Sequence, residues 1–139
     1  MKKLLASLLL AGSLCLTGCS STESCGSASG KLRSSGYTVQ TYSQVEAKAH
    51  LSAFNFEGVD LSDALVAKKG SPDNQDYMLA FFFPNTDQAS AFVNKNQYEN
   101  LATLNSVLDK ELGDGYTRRV GTHNNVALCT SETAFSIAF

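Results

Sequence analysis

The middle of the chain carries seven consecutive apolar residues, Tyr77-Met78-Leu79-Ala80-Phe81-Phe82-Phe83. Successive side chains of a β-strand point to opposite faces of its sheet, so a strand with one face in water alternates apolar and polar residues. This strand is apolar in both sets of positions and is therefore expected to be covered on both faces. Helices cover only one face of a two-layer fold, so Met78, Ala80 and Phe82, or else the opposite set, need a second cover.

We expect the C-terminal segment to provide this cover, because it offers the apolar residues Phe135, Ile137 and Phe139. The alternative is that Met78, Ala80 and Phe82 form a partner surface for another protein or a second copy, or a site for a ligand.

Turn residues before this strand predict a β-hairpin. The segment 70–75 contains Gly, Pro, Asp and Asn and separates the strand from an earlier apolar run at 63–69. That run also fits a helix, because apolar residues at 61, 64 and 65 follow the helical period. A strand at 63–69 is our prediction, and a helix is the alternative.

Capping residues predict three helices. Ser43-Gln44-Val45-Glu46 is a Ser-x-x-Glu capping box, which predicts a helix of about three turns after a short strand at 37–42. Asn85 begins a second, long helix in which the polar run 94–97 predicts a kink or break. Ser131 caps a last short helix, which follows a hairpin whose turn is at 122–125.

The resulting order is β-α-β-β-α-β-β-α. It predicts an α+β two-layer sandwich of ferredoxin-like type, β-α-β-β-α-β, with an extra C-terminal strand and short helix. In that arrangement the first and third strands are central, and the second and fourth strands are at the edges.

The N-terminus has the pattern of a secretory signal peptide. Met1-Lys2-Lys3 is positively charged, and the run from Leu4 to Leu16 is apolar apart from two serines and one glycine. This run is shorter than the about 20 residues of a transmembrane helix. An uncleaved N-terminal anchor is the alternative interpretation.

The leader ends in Leu16-Thr17-Gly18-Cys19, which resembles the lipobox of bacterial lipoproteins: an apolar branched residue, two small residues and a cysteine. The resemblance implies cleavage between Gly18 and Cys19, a diacylglyceryl group on the Cys19 sulfur and, often, a fatty acyl group on the new N-terminus. The lipid would hold the protein on the bacterial cell membrane or outer membrane, with its folded part outside the cytoplasm.

This interpretation divides the chain into a signal peptide at residues 1–18, a Ser/Gly-rich tether at 19–35 and a single α+β domain at 36–139. A length of 139 residues, with 43% hydrophobic and 17% charged residues, is typical of one small globular domain. The formal charge of −2 argues against nucleic acid as a partner, because phosphate binding requires a concentrated basic face.

The chain lacks the common catalytic and metal-binding motifs. His50 and His123 have no second ligand at a metal-binding spacing, and there is no nucleophile elbow or phosphate-binding glycine loop. We therefore expect a non-enzymatic binding or accessory domain without a metal or cofactor. The alternative is a subunit or assembly factor of a cell-envelope complex, with an envelope protein or a second copy as its partner.

Two cysteines remain in the mature chain besides Cys19. Outside the cytoplasm, Cys25 and Cys129 could form a disulfide that pins the tether to the last hairpin. In the alternative, Cys129 is a small buried hydrophobe and Cys25 is a free thiol in a mobile segment.

Overall fold

The computed structural model describes residues 22–139. The predicted signal peptide, its cleavage site and Cys19 lie outside the described residues. Within them, helices and strands follow in the order α1 (Cys25–Ser34), β1 (Thr38–Ser43), α2 (Gln44–His50), β2 (Asp63–Ser71), β3 (Asn74–Phe82), α3 (Thr86–Glu111), β4 (Arg118–His123), β5 (Val126–Ser131) and α4 (Glu132–Ala138).

The five described strands form one antiparallel sheet in the order β1-β2-β3-β5-β4. The mixed α+β class is thus confirmed, and so are the strand at β2 and both predicted hairpins. The strand order expected for a ferredoxin-like fold is wrong for the first two strands, since β1 lies at an edge and β2 lies between β1 and β3. The reason is that α2 has only seven residues and is about 10 Å long, so β2 begins where β1 ends, with Ser43 opposite Asp63.

Helices cover both faces of the sheet. Tyr77, Leu79 and Phe81 of β3 belong to a cluster on one face, here called the α3 face, which also includes side chains of α3. Met78 and its even-numbered neighbours in β3 belong to a second cluster on the opposite face, here called the α1 face. The prediction that the C-terminal segment covers these residues is confirmed, because Ala134 of α4 and its C-terminal neighbours pack there.

The helix α1 adds to this cover and was not expected. Residues 19–35 were predicted to be a tether, but Cys25–Ser34 form a helix whose N-cap Ser24 accepts a hydrogen bond from the Ser27 N–H at 3.1 Å. The inner side of α1 buries Leu32 completely. Its serines and glycines lie mainly on the outer side, and this composition concealed a helical apolar stripe in the sequence.

The predicted helix caps are present. The Ser43 hydroxyl accepts from the Glu46 N–H, and the Glu46 carboxylate accepts from the Ser43 N–H. The side chains of Asn85 and Ser131 cap α3 and α4 by accepting from the N–H groups of Gln88 and Ala134, at 3.0 and 2.9 Å. However, α2 ends at His50 and is shorter than the three turns expected.

The predicted interruption of α3 is confirmed at residues 95–98, where the backbone leaves the helical conformation. Asn96, Gln97 and Tyr98 have φ angles of 47°, 57° and 67°, a left-handed conformation that side chains disfavour. The buried Asn100 side chain holds this kink, since it donates hydrogen bonds to the carbonyls of Phe92 at 2.9 Å and of Asn55 at 2.8 Å.

Candidate functional site

The first described residues are fixed to one end of the sheet by the turn between β4 and β5. In this turn, the side chain of Asn125 accepts a hydrogen bond from the Glu23 N–H at 2.6 Å and donates one to the Glu23 carbonyl at 2.9 Å. It also donates to the carbonyl of Phe83, the residue after β3, at 2.9 Å. Because Asn125 is only 2% exposed, these bonds are shielded from water and hold the chain firmly at its entry into α1.

The Glu23 side chain continues this contact, which we call the N-terminal junction (Glu23, His123, Asn124, Asn125 and Phe139). The Glu23 Oε2 lies 3.2 Å from the His123 Nε2 and accepts a hydrogen bond from the Asn124 side-chain amide at 3.2 Å. The His123 ring packs against Phe139, with centroids 5.4 Å apart. When His123 is protonated, its contact with Glu23 becomes an ion pair at a partly buried position. The junction therefore attaches the N-terminal segment to both the sheet and the C-terminal segment.

The proposed partner surface on β3 is not accessible. Met78 and Ala80 are fully buried, and Phe82 is 2% exposed. Since α1 and α4 cover them, the structure excludes the alternative that these residues form a partner surface. The Phe82 ring instead contacts Phe139, with centroids 6.2 Å apart.

The two described cysteines are not joined. Cys25 packs on the α1 face and Cys129 on the α3 face, so the sheet separates the thiols and the suggested disulfide is not formed. Burial raises the pKa of Cys25 to about 11 and that of Cys129 to about 12. Both thiols are therefore protonated at neutral pH and poorly reactive, because the thiolate is the nucleophile.

A buried carboxylate that the sequence did not reveal lies at the other end of the sheet. Asp76 is 2% exposed and accepts hydrogen bonds from the hydroxyls of Tyr37 and Ser131 and, at 2.9 Å, from the Tyr77 N–H. Burial, together with the hydrogen bond to Asp76, raises the pKa of the Tyr37 hydroxyl. Because Ser131 also caps α4, this carboxylate ties β1, β3 and α4 together.

The outer side of α1 carries a shallow groove of about 680 Å³. It is lined by Gly26, Ser27, Gly30, Lys31, Ser34, Ser35 and Ile137. A Cβ atom added at Gly26 or Gly30 would meet nothing within 4 Å, so this side of α1 is open to close approach by another surface.

A smaller, polar pocket of about 230 Å³ lies at the C-terminal end of α3. Asp109 and Arg118 in its wall form an exposed ion pair at 2.5 Å. Exposed pairs of this kind contribute about 0–1 kcal/mol to stability.

No group of three or more His, Cys, Asp or Glu among residues 22–139 could hold a metal ion. None of the helices in this range is both long enough and apolar enough to cross a bilayer. No family model, curated protein or solved structure matches the chain.

Proposed function

We propose that this protein is a bacterial lipoprotein that is cleaved between Gly18 and Cys19 and carries lipid on Cys19. The observation that carries the proposal is Leu16-Thr17-Gly18-Cys19 at the end of a positively charged, apolar leader. The position of α1 supports it, because this first described helix begins at Cys25, soon after the motif. Each buried methylene contributes about 0.8 kcal/mol, so two or three acyl chains hold such a protein stably on a membrane.

The lipid places the folded part outside the cytoplasm, on the cell membrane or the outer membrane according to the type of envelope. There we assign it the role of a non-enzymatic binding or accessory domain. The support for this role is that its buried polar side chains serve the fold: Asp76, Asn100 and Asn125 all hydrogen-bond to neighbouring elements. The protonated thiols Cys25 and Cys129 serve as small core residues.

A second candidate is a subunit or assembly factor of a cell-envelope complex. The groove on the outer side of α1 favours it, because Gly26 and Gly30 have no side chains and leave room for a partner element to approach the α1 backbone. This candidate rests on the groove alone, since the β3 residues first considered as a partner surface are buried.

Intact-mass analysis of the protein extracted from membranes tests the lipoprotein assignment. We expect a polypeptide that begins at Cys19 and is heavier by a diacylglyceryl group and an acyl chain. Cys19→Ala should abolish the added mass, whereas the matched control Cys15→Ala, inside the discarded leader, should leave it unchanged. A product that retains Met1, or a secreted product without lipid, would contradict the assignment.

Affinity capture from envelope extracts separates the two candidate roles. A small molecule retained on the purified protein supports the binding domain, and a stoichiometric protein partner supports the subunit. Gly30→Trp, which fills the groove, should release such a partner. Lys110→Trp, at an exposed position of α3, is the matched control and should retain it.

A further inference from the structure

The linker between the proposed lipid site and the folded domain is short. Glu23 is fixed to the sheet by Asn125, so only the residues from Cys19 to Glu23 span the distance from the lipid to the fold. Fully extended, this linker covers at most about 14 Å. A compact domain of this size has a radius of gyration of about 13 Å and is about 35 Å across. The linker is therefore shorter than the domain, and the domain cannot turn freely above the bilayer.

The linker leaves the domain at one defined end of the sheet. Glu23 contacts the turn between β4 and β5, and the Phe83 N–H donates to the Asn125 carbonyl in the same turn at 3.0 Å. From Phe83, β3 runs back to Asn74, and its nine residues cover about 30 Å. The turn between β2 and β3, which includes Asp73, is therefore at the opposite end of the sheet.

Two partly exposed phenylalanine rings lie beside the linker, among charged and polar side chains. Phe135 and Phe139 are only partly buried, and both rings contact the His123 ring, with centroids 5.0 and 5.4 Å apart. The nearby charges are mixed in sign. Glu23 contacts His123, and Arg119, 3.9 Å from the Phe135 ring centroid, pairs with an acid on α4. Such a surface suits the headgroup region of a bilayer without requiring anionic lipid.

We propose that the surface formed by Glu23, His123, Phe135 and Phe139 faces the lipid bilayer, and that the β2–β3 turn lies on the side away from it. This inference rests on the proposed lipidation of Cys19. It adds an orientation, set by the short linker and by the bonds of Asn125 to Glu23.

Fluorescence quenching on vesicles tests the orientation. The lipidated protein is placed in phosphatidylcholine vesicles that contain lipids with a nitroxide on the headgroup, and a bimane label is attached at Ser136→Cys or at Asp73→Cys. Both positions are exposed; Ser136 lies on α4 between the two phenylalanines, and Asp73 lies in the distal turn. The parent protein is the blank, because Cys25 and Cys129 are buried. We expect quenching to be several-fold stronger at Ser136 than at Asp73.

Equal quenching at the two positions, or stronger quenching at Asp73, would overturn the orientation. The intact mass of each labelled protein shows whether it carries lipid, and so distinguishes a wrong orientation from a wrong lipoprotein assignment. A lipidated product with equal quenching refutes the orientation alone, whereas a product without lipid refutes the lipoprotein assignment and the orientation with it.

A longer linker provides the second arm of the test. About ten Gly/Ser residues inserted between Ser21 and Thr22 add a flexible coil of about 18 Å. We expect the quenching at Ser136 to fall to the level at Asp73, because the lengthened linker no longer holds one end of the domain at the membrane. A difference between the two labels that survives the insertion would overturn the role of the short linker.

Discussion

Replacement of Leu32 by alanine tests whether α1 belongs to the folded domain. Leu32 is fully buried in the cluster on the α1 face, which also contains residues of the sheet and of α4. Removal of a buried leucine side chain costs about 2–5 kcal/mol, from the lost burial and from the cavity that remains. We expect a loss of about 3 kcal/mol, which corresponds to a fall in Tm of about 10 °C for a domain of this size.

Gly30→Ala, on the same helix, is the matched control and should have the opposite effect. The added Cβ meets nothing within 4 Å, so alanine introduces no clash. Glycine within a helix is about 0.5–1 kcal/mol less favourable than alanine, so this change should stabilise the domain by about that amount. The two substitutions thus separate a helix packed on the sheet from a flexible tether, in which neither residue would contribute to stability.

Urea unfolding followed by circular dichroism measures both effects, with protein that begins at Ser20 and so carries no lipid. The free energy of unfolding comes from the midpoint and the slope of each transition, and an unchanged slope shows that the same surface unfolds. Midpoints of both variants equal to that of the parent would refute the reasoning, because α1 would then contribute nothing to the cooperative unit.

Three further predictions concern the core and the kink. Asp76→Ala should cost about 3 kcal/mol in the same urea assay, because hydrogen bonds to a charged group contribute about 1.5–3 kcal/mol each. Tyr37→Phe should cost less, because it removes only one of the donors to Asp76, and equal losses for the two variants would contradict this. The free energy of unfolding should fall as the pH rises above 9.0, because the thiols of the unfolded chain ionise there, whereas Cys25 and Cys129 in the folded protein stay protonated up to about pH 11 and 12. Urea titrations at about 25 °C measure this, and a free energy of unfolding that stays level up to about pH 10.5 would contradict it. Tyr98→Gly should stabilise the domain by about 1 kcal/mol, because φ at this exposed position is 67° and glycine adopts this angle without strain. Tyr98→Ala, measured in the same assay, should show no such gain, because alanine keeps the Cβ atom that causes the strain.

The parts of the fold that depend on neighbouring residues could be predicted from the sequence. The caps at Ser43, Asn85 and Ser131 are local hydrogen bonds, so the residues that form them stand three positions apart in the chain. The apolar run 77–83 likewise shows through its own pattern that both faces of β3 are covered. In both cases the physical cause acts within one element.

Strand order could not be predicted in this way, because it depends on the path of each connection. Whether α2 crosses the sheet or returns beside β1 depends on how far the helix extends past His50, and the predicted helix of about three turns is longer than the helix in the structure. Phe54 packs in the core, but it does so from the loop that follows α2. Its burial therefore does not require the longer helix on which the expected strand order depended.

The N-terminal junction has no local signal at all. Asn124-Asn125 is a typical pair of turn residues. Nothing in the sequence shows that Asn125 is buried or that it forms hydrogen bonds with Glu23, 102 positions earlier. The same holds for Asp76 and Ser131, which are 55 positions apart. Such contacts exist only after the sheet has formed, so they leave no pattern in the sequence.

The helix α1 changes what the proposed lipid anchor does. A tether over residues 19–35 would let the domain stand away from the bilayer and reach partners at a distance. Because Cys25–Ser34 fold onto the sheet and Asn125 holds Glu23, only about 14 Å of chain separates Cys19 from the domain. If Cys19 is lipidated as we propose, the domain would rest against the membrane, and its binding partners would lie on the membrane or within about one domain diameter of it. The buried residue Leu32 would then bear on the proposed orientation as well as on stability, since it holds the helix that shortens the linker.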